Sequence, residues 1–75
     1  MELKKIKYFL RIVEKGGLSK AASSLYLTQP TLSRFLSNLE EELGVKLFVR
    51  GHDNSLTLTQ AGQIYLEMAK KVETM

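Results

Sequence analysis

The sequence contains no cysteine and only one histidine. A disulfide scaffold and a thiolate-ligated metal site are therefore excluded, and one histidine cannot form the cluster that holds zinc. A phosphate-binding glycine loop and a nucleophile with a plausible base are missing as well. We therefore expect no metal, no other cofactor and no enzymatic activity.

Long apolar segments are also missing. A membrane helix requires a run of about 18 apolar residues, and the sequence has none. The start, Met-Glu-Leu-Lys-Lys, lacks the apolar stretch of a secretory signal. These absences predict a cytoplasmic protein without membrane contact.

The size of the chain, 75 residues, is that of one small domain. A core of this size buries only about 60% of the unfolded surface, so we expect the domain to need a partner. Residues 1–39 carry seven Lys or Arg and two Glu, whereas residues 40–75 carry four basic and six acidic side chains. A basic N-terminal half suits a surface that faces phosphates, although a solvated helix face has the same composition.

Hydrophobic periodicity predicts two helices in the first third of the chain. The first runs from residue 3 to about residue 13 and ends at the Gly16-Gly17 pair. The second runs from Leu18 to about Leu25, with Ser19 or a neighbour as its N-cap. The small pair Ala21-Ala22 predicts close packing of another helix. The expected apolar stripe of the first helix is Leu3, Ile6, Phe9, Leu10 and Val13.

A tight turn at residues 26–28 precedes a third predicted helix. Thr28 is its expected N-cap, and Pro30 in the first turn loses nothing by lacking an N–H. The helix runs from about Gln29 to Leu43, where Gly44 is placed as a left-handed stop. Its expected buried stripe is Leu32, Phe35, Leu36, Leu39 and Leu43.

Residues 45–50 and 55–58 are rich in β-prone side chains and flank the turn-forming loop Gly51-His52-Asp53-Asn54. They predict a short hairpin, which we call the wing. A two-stranded hairpin is not stable alone, so it should lean on the helices. The residues that we expect to make this contact are Leu47, Phe48, Leu56 and Leu58.

Thr59 is the expected cap of a last helix that continues to the end of the chain. Apolar residues follow at alternating spacings of four and three, as in a coiled-coil seam. This seam either folds back on the first helix or packs on a second copy of the chain, and we expect the second copy to cover it at least in part. The predicted dimerisation residues are Ala61, Tyr65, Met68, Val72 and Met75.

Two short helices joined by a tight turn, with a hairpin behind them, predict a mostly α fold, a winged helix-turn-helix with a three-helix core and a long C-terminal helix. The N-terminus of the third helix would enter the major groove of double-stranded DNA. Gln can bond adenine, Arg can fork onto guanine, and Ser or Thr can contact phosphate or base. Thr28 is better explained as a cap than as a base contact. Arg50 is either a phosphate or minor-groove contact or ordinary strand-edge charge. His52 is best explained as a solvated turn residue. The candidates are Thr28, Gln29, Thr31, Ser33, Arg34, Asn38 and Arg50.

Four segments in one order make the chain resemble the LysR-type transcriptional regulators. They are Gly-Leu-Ser-Lys-Ala-Ala at 17–22, Thr-Gln-Pro-Thr-Leu-Ser-Arg at 28–34, Leu-Glu-Glu-Glu-Leu-Gly-Val-Lys-Leu-Phe-Val-Arg at 39–50 and Leu-Thr-Gln-Ala-Gly at 58–62. The resemblance implies a DNA-binding domain at 1–58 and the start of a linker helix at 59–75 that pairs with its copy, in dimers that assemble further into tetramers. It places Gln29, Pro30, Ser33 and Arg34 at the groove and Arg50 in the wing.

The resemblance also implies features outside these 75 residues. Members carry a C-terminal effector domain that recognises a small-molecule inducer, and we expect this chain to be a fragment without it. The family often has basic residues where His52-Asp53-Asn54 stand, so we expect the wing to bind weakly here. The alternative function is a dimerising protein-interaction module that has lost DNA binding. We expect a sequence-specific DNA-binding regulator.

Overall fold

The computed structural model describes residues 2–53 and 55–74. Its four helices and one antiparallel hairpin confirm the predicted mostly α, winged helix-turn-helix architecture. The elements in chain order are α1 (Glu2–Lys15), α2 (Leu18–Ser24), α3 (Gln29–Leu43), β1 (Phe48–Arg50), β2 (Leu56–Leu58) and α4 (Gln60–Thr74).

The buried face of α1 differs from the predicted stripe. Ile6, Phe9 and Ile12 are buried, whereas Leu10 and Val13 are only partly covered. The expectation that Leu3 belongs to the core was wrong, because its side chain is 74% exposed near the N-terminus of α1. The contact of α1 with the core is made by residues spaced three apart, which are Ile6, Phe9 and Ile12.

The loop between α1 and α2 depends on two glycines. Gly16 ends α1 in the left-handed region at φ 74°, where a side chain would be strained. The expected cap of α2 was Ser19 or a neighbour. The N-cap is Gly17, which has no side chain to bond the free N–H groups, and Ser19 itself lies inside the helix. Ala21 and Ala22 are buried in the core, as predicted, and let α1 and α2 approach closely.

Helix α3 begins and ends at the predicted residues. The Thr28 hydroxyl accepts a hydrogen bond from the Thr31 N–H at 3.3 Å, and Gly44 closes the helix at φ 76°. The core side of α3 consists of Leu32, Leu36 and Leu39. Phe35 is half-buried. The expectation that Leu43 is buried was wrong, because its side chain is exposed.

The wing is paired in the register Phe48↔Leu58, Val49↔Thr57 and Arg50↔Leu56. Leu47 and Phe48 are buried and Leu56 and Leu58 half-buried, which confirms that the hairpin leans on the helices. The Leu56 N–H also donates to the Gly16 carbonyl at 3.0 Å. The wing is therefore attached to the loop between α1 and α2.

Helix α4 packs on α1 of its own chain. Leu66 and Ala69 are buried in this contact, and the Tyr65 ring lies edge-on to Phe9 with centroids 4.7 Å apart. The Thr59 hydroxyl caps the helix by accepting from the Gly62 N–H at 3.0 Å. Within the described residues, no helix is both long and apolar enough to cross a bilayer.

The predicted seam of α4 is divided by this packing. Ala61 is half-buried, and Tyr65 and Val72 contact the core of their own chain, as in the intramolecular alternative. Met68 is 40% exposed and its neighbour Ile64 is 66% exposed, so an apolar strip stays uncovered. Met75 lies outside the described residues.

Candidate nucleic-acid interface

The N-terminal half of α3 carries the candidate residues on its outer side. Gln29, Pro30 and Thr31 form the exposed first turn, and Thr28 precedes them as the cap. Arg34 and Asn38 are exposed one turn apart, on the side of the helix away from its buried leucines, and Ser33 is half-buried. The structure thus brings all the candidates except Arg50, with Pro30 included, onto α3 or its cap.

The capping geometry assigns a structural role to Thr28. Its hydroxyl oxygen lies 2.7 Å from the hydroxyl oxygen of Thr31 and also accepts from the Thr31 N–H. Both hydroxyls are therefore engaged within the cap. The first turn contains no acidic residue, so the positive end of the helix dipole is not neutralised there. This end of α3 suits an anionic partner.

Three of the five basic residues of α1 contact other residues of the domain. Arg11 Nη1 donates to the Ser24 hydroxyl at 2.9 Å and to the Ser24 carbonyl at 3.3 Å, which completes the end of α2. Lys5 pairs with Glu42 at 2.7 Å, and the ammonium of Lys4 lies 5.5 Å from the centroid of the Tyr8 ring. The basic N-terminal half is therefore not simply a surface for phosphate.

Arg34 and Arg50 differ from these cations. Both are exposed, and within residues 2–53 and 55–74 no carboxylate lies within ion-pair distance of either guanidinium. A guanidinium with no internal acceptor keeps its planar set of donors available for guanine or phosphate. These two arginines are the best placed cations for a nucleic-acid contact.

The acidic run at the C-terminal end of α3 has a structural role that the sequence did not indicate. Glu40 is buried, and its Oε2 accepts from the backbone N–H of Leu47 at 2.7 Å and of Phe48 at 3.2 Å. Lys46 Nζ lies 3.8 Å from the other carboxylate oxygen. Glu40 therefore holds the start of the wing against α3. The one feature of the sequence that could have indicated this role is that Glu40 follows the buried Leu39 and stands seven residues before the apolar pair at 47–48.

The wing loop carries mixed charge. Arg50 lies at the end of β1, and His52 and Asp53 are exposed in the turn that follows. The Asp53 carboxylate accepts from the Ser55 N–H at 3.2 Å, and hydrogen bonds from the Ser55 side chain and backbone hold the pKa of Asp53 below its ordinary value. This loop therefore carries a carboxylate three residues after Arg50, which weakens its attraction for phosphate.

Comparison with known proteins identifies a family. The family model described as "Bacterial regulatory helix-turn-helix protein, lysR family" matches residues 3–63. The HTH-type transcriptional regulator BsdA of Bacillus subtilis (strain 168) is 40% identical over 72 residues, which are 96% of this chain and 25% of BsdA. The chain thus spans about a quarter of the length of the curated relatives it matches.

Solved structures of relatives agree with this match. The DNA-binding domain of CbnR in a complex with DNA superposes with a TM-score of 0.88 at 38% identity, over 99% of this chain and 84% of that one. The DNA-binding domain of BenM, a regulator of Acinetobacter baylyi, in a complex with catB site 1 DNA gives 0.89 at 40% identity, over 99% of this chain and 78% of that one.

Proposed function

Because this chain belongs to the LysR family of bacterial regulatory helix-turn-helix proteins, we propose that it binds double-stranded DNA sequence-specifically and regulates transcription, with α3 as the recognition helix. The relatives are named as transcriptional regulators rather than as enzymes. The observation that carries the proposal is the exposed N-terminal face of α3. There Arg34 has no carboxylate partner among the described residues, and the first turn of the helix contains no acidic residue.

The chemistry of each side chain suggests its role in the major groove. The amide of Gln29 can bond adenine in a bidentate manner, and Arg34 can fork onto guanine O6 and N7 or onto a phosphate. Ser33 and Asn38 supply shorter polar groups to base or backbone. Pro30 and Thr31 present apolar carbons that can contact a thymine methyl. Thr28 supports this face as its cap rather than as a contact.

The wing has a lesser part in the proposal. Arg50 is the cation of the hairpin that is available for a contact with phosphate or with the minor groove. The neighbouring Asp53 carboxylate, whose pKa is held below its ordinary value by hydrogen bonds from Ser55, places negative charge in this loop, so the loop adds little affinity. Affinity then depends mainly on α3.

The proposed assembly is a dimer. Residues 1–58 form the DNA-binding domain and residues 59–75 begin a linker helix that pairs with the same helix of a second copy. An open groove between α1 and α4 supports this proposal, because apolar side chains, some of them exposed or only partly buried, line it between charged residues. These apolar side chains are Leu3, Ile6, Leu10, Val13, Leu66 and Val72. The proposed dimerisation residues are Ala61, Tyr65, Met68, Val72 and Met75.

The complete protein is proposed to act in the cytoplasm, where its DNA target lies. A longer chain would add a C-terminal domain that recognises a small inducer and would assemble dimers into tetramers.

Fluorescence anisotropy with random-sequence and pooled promoter duplexes, repeated across a salt series, tests the proposal. Log K should fall linearly with log salt, with a slope of about −0.9 per neutralised phosphate, and one fragment should bind more tightly than the random duplex. A folded, dimeric sample that binds no duplex at low salt would contradict the proposal and favour an interaction module that has lost DNA binding.

A further inference from the structure

The turn between α2 and α3 places a tyrosine where glycine is usual. The Leu27 N–H donates to the Ala22 carbonyl at 2.8 Å and the Tyr26 N–H to the Ser23 carbonyl at 3.1 Å, which together form a Schellman motif at the end of α2. Tyr26 is the left-handed residue of this motif, with φ 60°. It is the one non-glycine with positive φ among the described residues. An aromatic side chain raises the free energy of this turn relative to glycine.

Packing does not explain the tyrosine. The residue is 96% exposed, the most exposed large hydrophobic side chain in the described part of the chain. Its ring makes no aromatic contact there, whereas Tyr8 and Tyr65 each lie edge-on to a phenylalanine. Neither the backbone conformation nor the core accounts for a phenol at this position. An exposed side chain kept at an unfavourable backbone position is typical of a functional contact.

The position of Tyr26 indicates what that contact is. It lies two residues before the Thr28 cap and three before Gln29, and the exposed surface continues from the turn into the first turn of α3. When the start of a recognition helix enters the major groove, the turn before it lies at the groove edge, where the sugar-phosphate chain passes. A phenol O–H is a neutral donor that suits a phosphate oxygen.

This inference rests on the proposed DNA binding. We propose that the Tyr26 hydroxyl donates a hydrogen bond to a phosphate oxygen at the edge of the major groove and thereby fixes the position of α3 along the duplex. The contact carries no sequence information and no charge. It is therefore distinguishable from the contacts of Gln29 and Arg34.

Tyr26→Phe removes only the hydroxyl and tests the contact. Its affinity should fall about 3- to 10-fold, the effect of one lost hydrogen bond. The loss should be the same for a preferred promoter fragment and for one fixed random-sequence duplex, because a phosphate contact does not discriminate between sequences. The slope of log K against log salt should stay at the unsubstituted value, because no cation is lost. Tyr8→Phe, which keeps its ring contact with Phe35, is the matched control and should bind as the unsubstituted chain does.

A second variant separates DNA contact from turn structure. Tyr26→Gly relieves the left-handed strain, so it should melt no lower than the unsubstituted chain and yet bind both duplexes at least as weakly as Tyr26→Phe. Tyr26→Phe with unchanged affinity would overturn the inference while leaving DNA binding intact. A loss confined to one sequence, or a reduced salt slope, would also overturn it, because the contact would then involve a base or a charge. If the unsubstituted chain binds neither duplex, the proposed function fails and this inference fails with it.

Discussion

Each of the three arginines lies in a different environment. Arg11 is bound to Ser24 and Glu14 and holds the end of α2. Arg34 is exposed on α3 and Arg50 at the end of β1, each without a carboxylate partner among the described residues. Charge alone therefore does not identify a DNA contact. The availability of a guanidinium depends on whether the fold supplies it with acceptors.

We expect Arg34→Ala to weaken binding of a preferred duplex by about 1–3 kcal/mol and to relax sequence preference at one base pair. Arg34→Lys keeps the charge but loses the planar fork, so it should retain the salt slope while losing preference. Anisotropy titrations on matched and single-base-substituted duplexes measure both effects. If Arg34→Lys keeps the full preference, Arg34 contacts phosphate rather than a base.

At the scale of elements, contacts from α3 and from α4 meet at the start of the wing. One is the buried Glu40 carboxylate of α3, which accepts from two backbone N–H groups at the start of the wing. The other is the close approach of α4 at Gly62 to the backbone of Leu47. Both meet the same short segment before β1. The wing, α3 and α4 are therefore coupled through residues 47–48.

Glu40→Gln replaces a charged acceptor with a neutral amide and places an NH₂ group near backbone donors. We expect unfolding free energy to fall by about 1–3 kcal/mol, as for a buried donor left without a good partner. Glu41→Gln is the matched control, because Glu41 is exposed on the same turn, and it should change stability by less than about 0.5 kcal/mol. Urea unfolding followed by circular dichroism measures the difference. Equal stabilities for the two variants would show that Glu40 does not hold the wing.

Gly62→Ala should prevent α4 from docking in its present position. A Cβ at this residue would overlap the Leu47 carbonyl oxygen and lie 2.8 Å from Leu58 Cδ2. Since the backbone cannot yield as a flexible side chain does, we expect a loss of about 1–3 kcal/mol in thermal unfolding. Gln63→Ala, at the exposed next position, should leave the melting temperature nearly unchanged. A melting temperature that Gly62→Ala leaves unchanged would contradict the close approach of α4.

At the scale of the whole molecule, α4 serves two surfaces. Leu66 and Ala69 cover α1, and Ile64 and Met68 remain exposed. A domain of this size gains little stability from its own core, and burial of this strip in a second copy would add to it. In the proposed dimer, folding and dimerisation would therefore use neighbouring residues of one helix.

The double substitution Ile64→Asp with Met68→Asp should shift a dimeric sample towards monomer in sedimentation velocity, because two carboxylates would enter the apolar contact. Its secondary structure should persist, since neither side chain belongs to the buried core. Gln63→Asp adds a charge at an exposed position of the same helix and is the control for charge alone. An unchanged sedimentation coefficient in the double variant would place the dimer contact elsewhere.

The amino-acid sequence by itself determined the order and the approximate limits of the elements, the Thr28 and Thr59 caps, the Gly44 stop and the family. These features depend on local preferences and on spacing along the chain, which a linear pattern contains. The outer face of α3 followed in the same way, because a helical repeat fixes which residues oppose the buried leucines.

Only the tertiary structure decided which side chains pair and which stay available. Glu42 meets Lys5 across 37 positions of sequence, and Arg11 meets Ser24. Leu66 and Ala69, which lie outside the predicted seam, are the side chains of α4 that are buried in its packing on α1. The apolar pattern of α4 was compatible with packing on α1 and with packing on a second copy. Leu3 matched the apolar stripe of α1, although no described element covers it. Periodicity indicates that a face is apolar, but the position of neighbouring elements determines whether that face is buried, and this position results from the packing of the whole domain.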